Sequence, residues 1–417
     1  MKVLNLGAIG LGRAFAAMAP SLRSHPAIRL VAAADPNPSS LRNANRIFGA
    51  RTYADATALL DDPEVDAVYI ATPHELHATQ AIAAFERGKD VLLEKPMALT
   101  LDDSLRIVEA GEQHGRVLIV GHSHGFDPPV MTAARLISSG ALGQVRMIST
   151  LDYTNWIYRA RRPEELSGAG VTLNQASHQV DIVRLLGGGQ VRSVRASCGA
   201  WDANRRMTGA YAALLTFANG AFASLTYNGY DYFDSDEFMG WISETGRPKP
   251  SNAHSAMRNA LEHSASEIEV HAQAGFGAEN VSVREDKVGE KGQTHQHFGV
   301  VIASCDDGDL RTSPYGISLY DRRGRHDFTV QGGRGGASRA SVFDELYDAA
   351  VNGIRPVHDG RWALGNLEVC LAIPKCSHNE SEVTLSHQIA PTLVPLTLAQ
   401  LEAHSPAKPD LTPVRAQ

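Results

Sequence analysis

Cysteine, aromatic residues and positive charge are all scarce in this chain. Four cysteines occur in 417 residues: Cys198, Cys305, Cys370 and Cys376. They form no CxxC pair and no dense framework, which leaves no basis for a disulfide scaffold and points to reduced thiols. Lys and Arg number 39 against 46 Asp and Glu, a formal net charge of -7. Neither nucleic acid nor an anionic membrane is an expected partner of such a chain. No apolar run approaches the roughly 20 residues that a membrane-spanning helix needs. The opening MKVLNLGAIGLG runs straight into patterned sequence, with no apolar h-region and small-residue cleavage site, so a cytoplasmic protein is expected. At 43% hydrophobic and 20% charged residues, the composition is that of an ordinary globular protein. Its length exceeds the size at which one hydrophobic core stops growing, so two domains are expected.

From residue 1 to 123 the chain alternates strand-like and helix-like patterns, as βαβ units on a parallel sheet do. The apolar runs VLNLGAI, IRLVAAAD, DAVYIAT, DVLLEKPM and VLIVGHS are separated by helix patterns. Among these are RAFAAMAPSL, Ser39 to Phe48 with Gly49 as its stop, HELHATQAIAAFERG, and a segment from Asp102 to near Gly115. These alternating runs and helices predict an α/β, doubly wound sheet of the Rossmann kind. After GHSHGFDPP the pattern changes. A helix near Pro129 to Ser138 precedes closely spaced strand runs: QVRMISTLDY, VRSVRASCGAW, YAALLTFANGAFASLTYNGY and FGVVIASC. LLTFANGAFASLTY reads as a hairpin turning at Asn219-Gly220. Residues 124 to 388 are therefore expected to form an α+β domain on a largely antiparallel sheet. Ser251 to His271, polar and rich in alanine, reads as a helical insertion. Residues 389 to 417 carry Pro391, Pro395, Pro406, Pro409 and Pro413 and read as an extended tail.

NLGAIGLGRAF ends a strand pattern and opens a helix pattern, the setting in which a glycine-rich loop has meaning. Gly10 and Gly12 permit a tight turn and a close approach to a pyrophosphate, whose charge the amides of the helix start, around Arg13 and Ala14, would meet. Phe15 takes the place of the third glycine of such loops. Asp35 ends the next apolar run 23 residues past Gly12, where its carboxylate would accept from ribose hydroxyls and repel a 2′-phosphate. NAD is therefore the expected cofactor, with a plain structural turn as the competing reading. The ends of later runs carry Thr72, Pro73, His74 and His77 in ATPHELH, and Glu94 and Lys95 in EKPMALT. Ligands of open α/β sheets collect at the carboxyl ends of strands, which aims both stretches at the nicotinamide half. A lysine there, short of water and among cationic neighbours, can act as general acid or base.

VTLNQASHQVDIVRLLGGG, from Val171 to Gly189, is apolar nearly all round, yet it carries Asn174, His178 and Asp181 at i, i+4 and i+7. Asp181 is placed to hold the His178 ring in one tautomer. A satisfied core histidine is the plain alternative for His178. Two HxH pairs, His122 with His124 and His295 with His297, share strand faces, but no cysteine or carboxylate spacing completes a zinc site. No metal is expected, and His124 is read as lining the cofactor pocket.

On these residues the chain resembles the Gfo/Idh/MocA oxidoreductases. The resemblance is carried by Glu94-Lys95-Pro96, by ATPHELH upstream and by GHSHGFDPP at the start of the second domain, and it runs to about residue 388. It implies a Rossmann domain followed by a domain with a large open sheet, which pairs subunits into a homodimer or homotetramer. It also implies that Lys95 and His178 flank the substrate carbinol, with Asn174 where polyol oxidisers usually carry an aspartate. Gly125 stands where many members have an arginine. Four longer blocks, NWIYRARRPEEL, NQASHQVDIVRLLGGG, YNGYDYFDSDEFMGW and HQHFGVVIASC, are similar to the branch that oxidises phthalate cis-4,5-dihydrodiol to 4,5-dihydroxyphthalate. That branch implies an enzyme of aromatic degradation acting on a small dicarboxylate diol, with hydride passing to NAD and a proton to Lys95 or His178. Guanidinium forks suit such carboxylates, which singles out Arg159, Arg161 and Arg162, with Asn155 and Tyr158 on the same segment. Pairing of these arginines with Glu164 and Glu165 is the competing reading. An NAD-linked sugar or polyol dehydrogenase and a non-catalytic NAD-binding sensor are the alternative functions.

Overall fold

A computed structural model describes residues 2–404 apart from 123, 160–168, 231, 252–255, 257, 260–274, 280, 284–293, 333 and 335–338. The first unit runs through β1 (Leu4–Ile9), α1 (Arg13–Ser24), β2 (Ile28–Ala34), α2 (Pro38–Phe48), β3 (Arg51–Tyr53) and α3 (Ala56–Leu60). It continues through β4 (Ala67–Ile70), α4 (His77–Glu86), β5 (Asp90–Glu94), α5 (Leu101–Gln113) and β6 (Leu118–Gly121). All six strands are parallel, in the order β3-β2-β1-β4-β5-β6. β1, β4, β5 and β6 are buried along most of their length, so they read as unbroken apolar runs. The edge strand β3 is largely exposed and has no such run to reveal it. Local chemistry sets the helix ends. Asn37 caps α2 by accepting from Ser39 N, Pro38 sits in its first turn, and Gly49 closes it at φ 70°.

The second unit holds α6 (Pro128–Ser138), β7 (Val145–Tyr153), α7 (Val171–Asn174), α8 (Ala176–Gly187), β8 (Val191–Gly199), β9 (Ala210–Phe217) and β10 (Phe222–Asn228). β11 (Val300–Cys305), β12 (Asp309–Ser313), β13 (Gly316–Asp321) and β14 (Gly324–Phe328) follow. The chain then forms α9 (Ala340–Asn352), α10 (Gly360–Asn379), β15 (Val383–Thr384) and α11 (Leu398–His404). The nine strands lie in the order β14-β13-β12-β11-β7-β10-β9-β8-β15, with β7 and β10 parallel and the other pairs antiparallel. The β9–β10 hairpin turns through Gly220 at φ 88°. Every residue of α8 is buried, and the helix lies between this sheet and α6 and α10. The tail is not extended throughout, because α11 starts from a capping box. Gln400 N donates to Thr397 Oγ1, Thr397 N donates to Gln400 Oε1, and Leu401 is buried against the second core. The flanking prolines hide that short box in the composition. Of the expected insertion helix, Ser251 to His271, only residues 251, 256, 258 and 259 are described, so that expectation lies mostly outside the described residues.

Chain order does not follow the two sheets. α9 returns to the first core, where Val342, Phe343 and Leu346 are buried with Phe15 and Tyr69, while Ala363 and Leu364 of α10 join its other face. Between α9 and α10 the His358 carbonyl accepts from Val120 N of β6. The His358 ring is stacked on Phe126 at 3.7 Å and lies between Glu345 Oε2, at 3.1 Å, and Asp181 Oδ2, at 3.4 Å. Asp181 Oδ1 accepts from Trp362 Nε1 and Asn366 Nδ2, both at 2.6 Å. Burial alone would lower the imidazole pKa, but Glu345 and Asp181 outweigh it and raise it to about 10. Burial likewise favours a protonated Asp181, and the facing His358 cation outweighs it, holding the carboxyl at about 2. One cation thus ties α8, α9 and β6 together.

Because the folded pKa of His358 lies above its ordinary 6.5, its contribution is complete below about pH 6.5 and is lost as pH rises through about 10. His358→Gln leaves the buried Asp181 and half-buried Glu345 carboxylates facing each other without a cation and is expected to destabilise the fold by about 3–5 kcal/mol at pH 6.5. Denaturant titrations should show this difference shrinking towards pH 10. A pH-independent difference would contradict the ion-pair account.

Candidate active site

The order of the first sheet reverses between β1 and β4, and the crevice at that point opens at the carboxyl ends of the strands. Gly10 turns the chain there at φ 86°, and a Cβ on it would lie 2.7 Å from the Ala71 carbonyl oxygen. Gly12 stands at the N-terminus of α1 with no side-chain cap, and a Cβ on it would meet nothing within 4 Å. Arg13 and Ala14 form the first turn behind it. This bare helix start, open in front of Gly12, fits a pyrophosphate. Phe15, in the place of the third glycine, points into the core and meets Phe276 edge-on at 4.8 Å. Asp35 follows β2 and ties the loop together, accepting from Leu11 N and Asn37 N at 2.7 Å each. Each oxygen keeps a lone pair for a ribose hydroxyl.

The loop after β4 is held differently. His77 is fully buried, and its ring nitrogens lie 3.1 Å from the carbonyls of Thr72 and Pro96. It joins the β4 and β5 loops, and both ring nitrogens are taken up by those carbonyls, which gives His77 a bridging role between the loops. Thr72 Oγ1 donates to Gln80 at 2.6 Å, and Pro73 and His74 start a short 3-10 turn. Glu94 Oε1 accepts from the Tyr69 hydroxyl at 2.6 Å.

Lys95 reaches across from β5 to the second unit. Its Nζ donates to Asn174 Oδ1 at 2.7 Å and to the Asn174 carbonyl at 3.1 Å. That carbonyl also accepts from Ser177 Oγ at 2.8 Å, and His178 N donates instead to Gln175 O. The stretch expected to be one helix from Val171 to Leu186 is therefore broken at Gln175, where the ordinary ladder is diverted to the lysine. Loss of water around the ammonium is the main cause of a Lys95 pKa lowered to about 8; Glu94 opposes it and Arg339 adds to it. Asn174 thus holds the lysine; it is not bonded to the imidazole.

His178 points from α8 into the same place. Its ring packs edge-on against His124 at 4.9 Å and tilted against Phe298 at 5.1 Å. Its buried Nδ1 has no hydrogen-bond partner among the described residues. Burial, then the charge of Lys95 and the neighbouring histidines, holds its pKa well below 6.5, so the ring is neutral at physiological pH. The expectation that Asp181 orients this ring is wrong. Three residues further along α8, Asp181 faces Trp362, Asn366 and His358 instead. A Cβ on Gly125 would lie 1.6 Å from Asp181 Oδ2, so this pair also explains why no arginine occupies position 125. His124 Nδ1 lies 3.0 Å from Asp127 Oδ2, and burial lowers His122 to about 4.

Of the arginines expected to face substrate, Arg161 and Arg162 lie outside the described residues, as do Glu164 and Glu165. Arg159 is described, but its Nη1 is paired with Glu244 at 2.8 Å. Tyr158 turns its hydroxyl to Asp202 at 3.2 Å, with Arg258 stacked 4.1 Å over its ring, and Asn155 precedes the 3-10 turn of residues 156–158. His295 and His297 place Nε2 2.8 Å from the Val330 and Ile242 carbonyls, respectively. Glu244, Arg339 and His358 are the charged neighbours that no sequence pattern pointed to. Each arrives from a distant loop or helix end, where periodicity carries no signal.

Asn174 gives a direct test of the lysine's surroundings. An aspartate there adds a charge beside Nζ, and Asn174→Asp should raise the Lys95 midpoint above about 8 by roughly one to three pH units. NMR titration of the Lys95 ε-carbon would read it. An unchanged midpoint would exclude Asn174 as the group that sets it.

Residues 4–122 match the model described as "Oxidoreductase family, NAD-binding Rossmann fold", and residues 130–240 match the GFO/IDH/MocA C-terminal domain. The chain is 40% identical to the 1-carboxy-3-chloro-3,4-dihydroxycyclohexa-1,5-diene dehydrogenase of Comamonas testosteroni over 89% of this chain and 94% of that one. It is 32% identical to the scyllo-inositol 2-dehydrogenase (NAD(+)) of Bacillus subtilis, over 45% of this chain and 54% of that one. A solved structure from Bordetella bronchiseptica RB50, 37% identical, has a TM-score of 0.87 and covers 92% of this chain and 100% of that one. No helix of the described residues is long and apolar enough to cross a membrane. With both domain models satisfied in order and the Comamonas relative matched over nearly its whole length, the chain belongs to the Gfo/Idh/MocA oxidoreductase family, and its Rossmann domain binds NAD.

Proposed function

We propose that this protein oxidises a carboxylated cyclic cis-dihydrodiol, yielding the corresponding catechol, with the phthalate cis-4,5-dihydrodiol as the first candidate. The observation that carries this reading is a lysine tuned to about 8 beside a neutral histidine with a bare Nδ1, at the mouth of a dinucleotide-binding sheet. The Comamonas relative, whose name describes a carboxylated dihydroxycyclohexadiene, supports the substrate class.

Bound NAD supplies the hydride-accepting carbon. Lys95 Nζ takes the hydroxyl proton while the carbinol C–H bond gives up its electron pair as hydride. The two oxygens of Asn174 fix Nζ in place during that transfer. His178 Nδ1 offers a hydrogen bond to a substrate hydroxyl, and His124 and Phe298 keep its ring from turning. The resulting hydroxyketone shifts a ring proton to oxygen, which restores aromaticity and pulls the oxidation forward. We also infer a homodimer or homotetramer formed through the open face of the nine-stranded sheet, where Met147, Leu214 and Phe222 are 39%, 44% and 43% exposed.

A base that titrates near 8 makes kcat/KM climb with pH and level off above about 8, and neutral His178 adds no second limb above pH 6.5. Lys95→Ala should lower kcat by about 100- to 10,000-fold. NADH formation from the phthalate cis-4,5-dihydrodiol, a monocarboxylated cis-diol, the unsubstituted diol and myo-inositol decides the substrate class. Turnover of inositol with none of the diols would replace this reading by that of a polyol dehydrogenase. Light scattering that shows a monomer at micromolar concentration would overturn the oligomer.

A further inference from the structure

We propose that Arg339 is the carboxylate anchor of the substrate site, a residue-level reading that rests on the carboxylated-diol function above. Arg339 immediately precedes α9 and is half-buried, and its guanidinium makes no hydrogen bond or ion pair with the described residues. The other arginines of this region are engaged: Arg159 with Glu244, Arg184 with Asn366 and the Trp362 carbonyl, and Arg334 with Asp348.

Packing puts Arg339 at the site. Phe343, in the first turn of α9, meets Tyr69 of β4 edge-on at 6.5 Å, and the Tyr69 hydroxyl donates to Glu94, the neighbour of Lys95. The start of α9 therefore stands beside the carboxyl end of β5. Beyond the effect of burial, the Arg339 charge is among those that lower Lys95 and His178, and it is among those that favour ionised Glu244. One guanidinium thus acts on Lys95, His178 and Glu244 together, three of the groups around the place where the substrate hydroxyls would sit.

The charges of that place do not balance. Lys95, Arg159 and Arg339 face Glu94 and Glu244, while His178 and His122 are neutral. Among these described groups one positive charge is left over, and it resides on Arg339, which has no partner among the described residues. A half-buried guanidinium has lost part of its hydration, here without gaining acceptors among the described residues, and a planar carboxylate supplies both acceptors of a fork at once. Arg159, the one described residue of the three arginines that the sequence singles out, is already neutralised by Glu244 and cannot offer that fork without breaking an ion pair.

The test uses the full-length NAD-loaded enzyme with Arg339→Gln and Arg339→Lys. Wild type should prefer a carboxylated cis-dihydrodiol to the unsubstituted diol in kcat/KM. That preference should fall by roughly 10- to 100-fold in Arg339→Gln and be only partly recovered in Arg339→Lys, because an ammonium lacks the fork. The KM for NAD should stay within about threefold of wild type. In parallel, calorimetric binding of 3,4-dihydroxybenzoate and of catechol to the NADH complex reads the anchor without turnover: the carboxylate's advantage should be present in wild type and absent in Arg339→Gln. A preserved advantage in the variant, or a rise in KM for NAD as large as the loss of preference, overturns the proposal. If wild type oxidises no dihydrodiol, the function above fails, and the binding pair still decides the role of Arg339.

Discussion

A single hydrogen-bonded contact, from Lys95 Nζ to both oxygens of Asn174, joins the two units at the point where chemistry is possible. The ammonium comes from the end of a buried parallel strand, and the asparagine comes from the end of a short helix under the second sheet. Closing that contact takes the Asn174 carbonyl out of its helix, breaks the helix at Gln175 and turns His178 to face the same space. It also holds a lysine where it is short of water, which is why its pKa falls towards neutrality. Position, protonation and the neighbouring histidine all depend on that contact.

Around it, charge is sorted by depth. The deepest charges lie in contact with partners, with His358 between Asp181 and Glu345, and Arg184 stacked on Trp362 at 3.9 Å and bonded to Asn366. Buried ion networks of this kind are weak contributors to net stability but costly to break one member at a time. Their value here is positional, because they clamp α8, α9 and α10 against the edge of the first sheet. Nearer the crevice, His122 and His178 are kept neutral by burial while Lys95 remains able to exchange a proton near physiological pH. In the function proposed above, a substrate would complete two of the polar groups that lack partners among the described residues, His178 Nδ1 and the Arg339 guanidinium.

Much of the fold could be read directly from residue order. Buried parallel strands are apolar runs, α2 is bounded by Asn37 and Gly49, and the β9–β10 hairpin declares itself at Asn219-Gly220, because each of these signals is local. The same locality explains what was misread. Asp181 lies on the stripe of His178, and spacing alone joins them, yet the Trp362 indole and the His358 ring, which come from far along the chain, claim the carboxylate. His77 sits in the expected loop, and the carbonyls of Thr72 and Pro96 take up both of its ring nitrogens. A sequence pattern shows which residues share a face, not which distant side chain fills the space beside it.

The sequence by itself determined the cofactor loop, the placement of Lys95 at the end of β5 and the polar stripe of α7 and α8, because turn geometry and helical period act over a few residues. Only the tertiary structure decided how charge is shared among them. It gave Glu244 to Arg159, His358 to Asp181 and Asn174 to Lys95, and it left Arg339 without a partner among the described residues at the start of α9. Electrostatic partners are chosen by distance through space and by the water that burial removes, and both are set only once α9 and α10 fold back onto the first sheet.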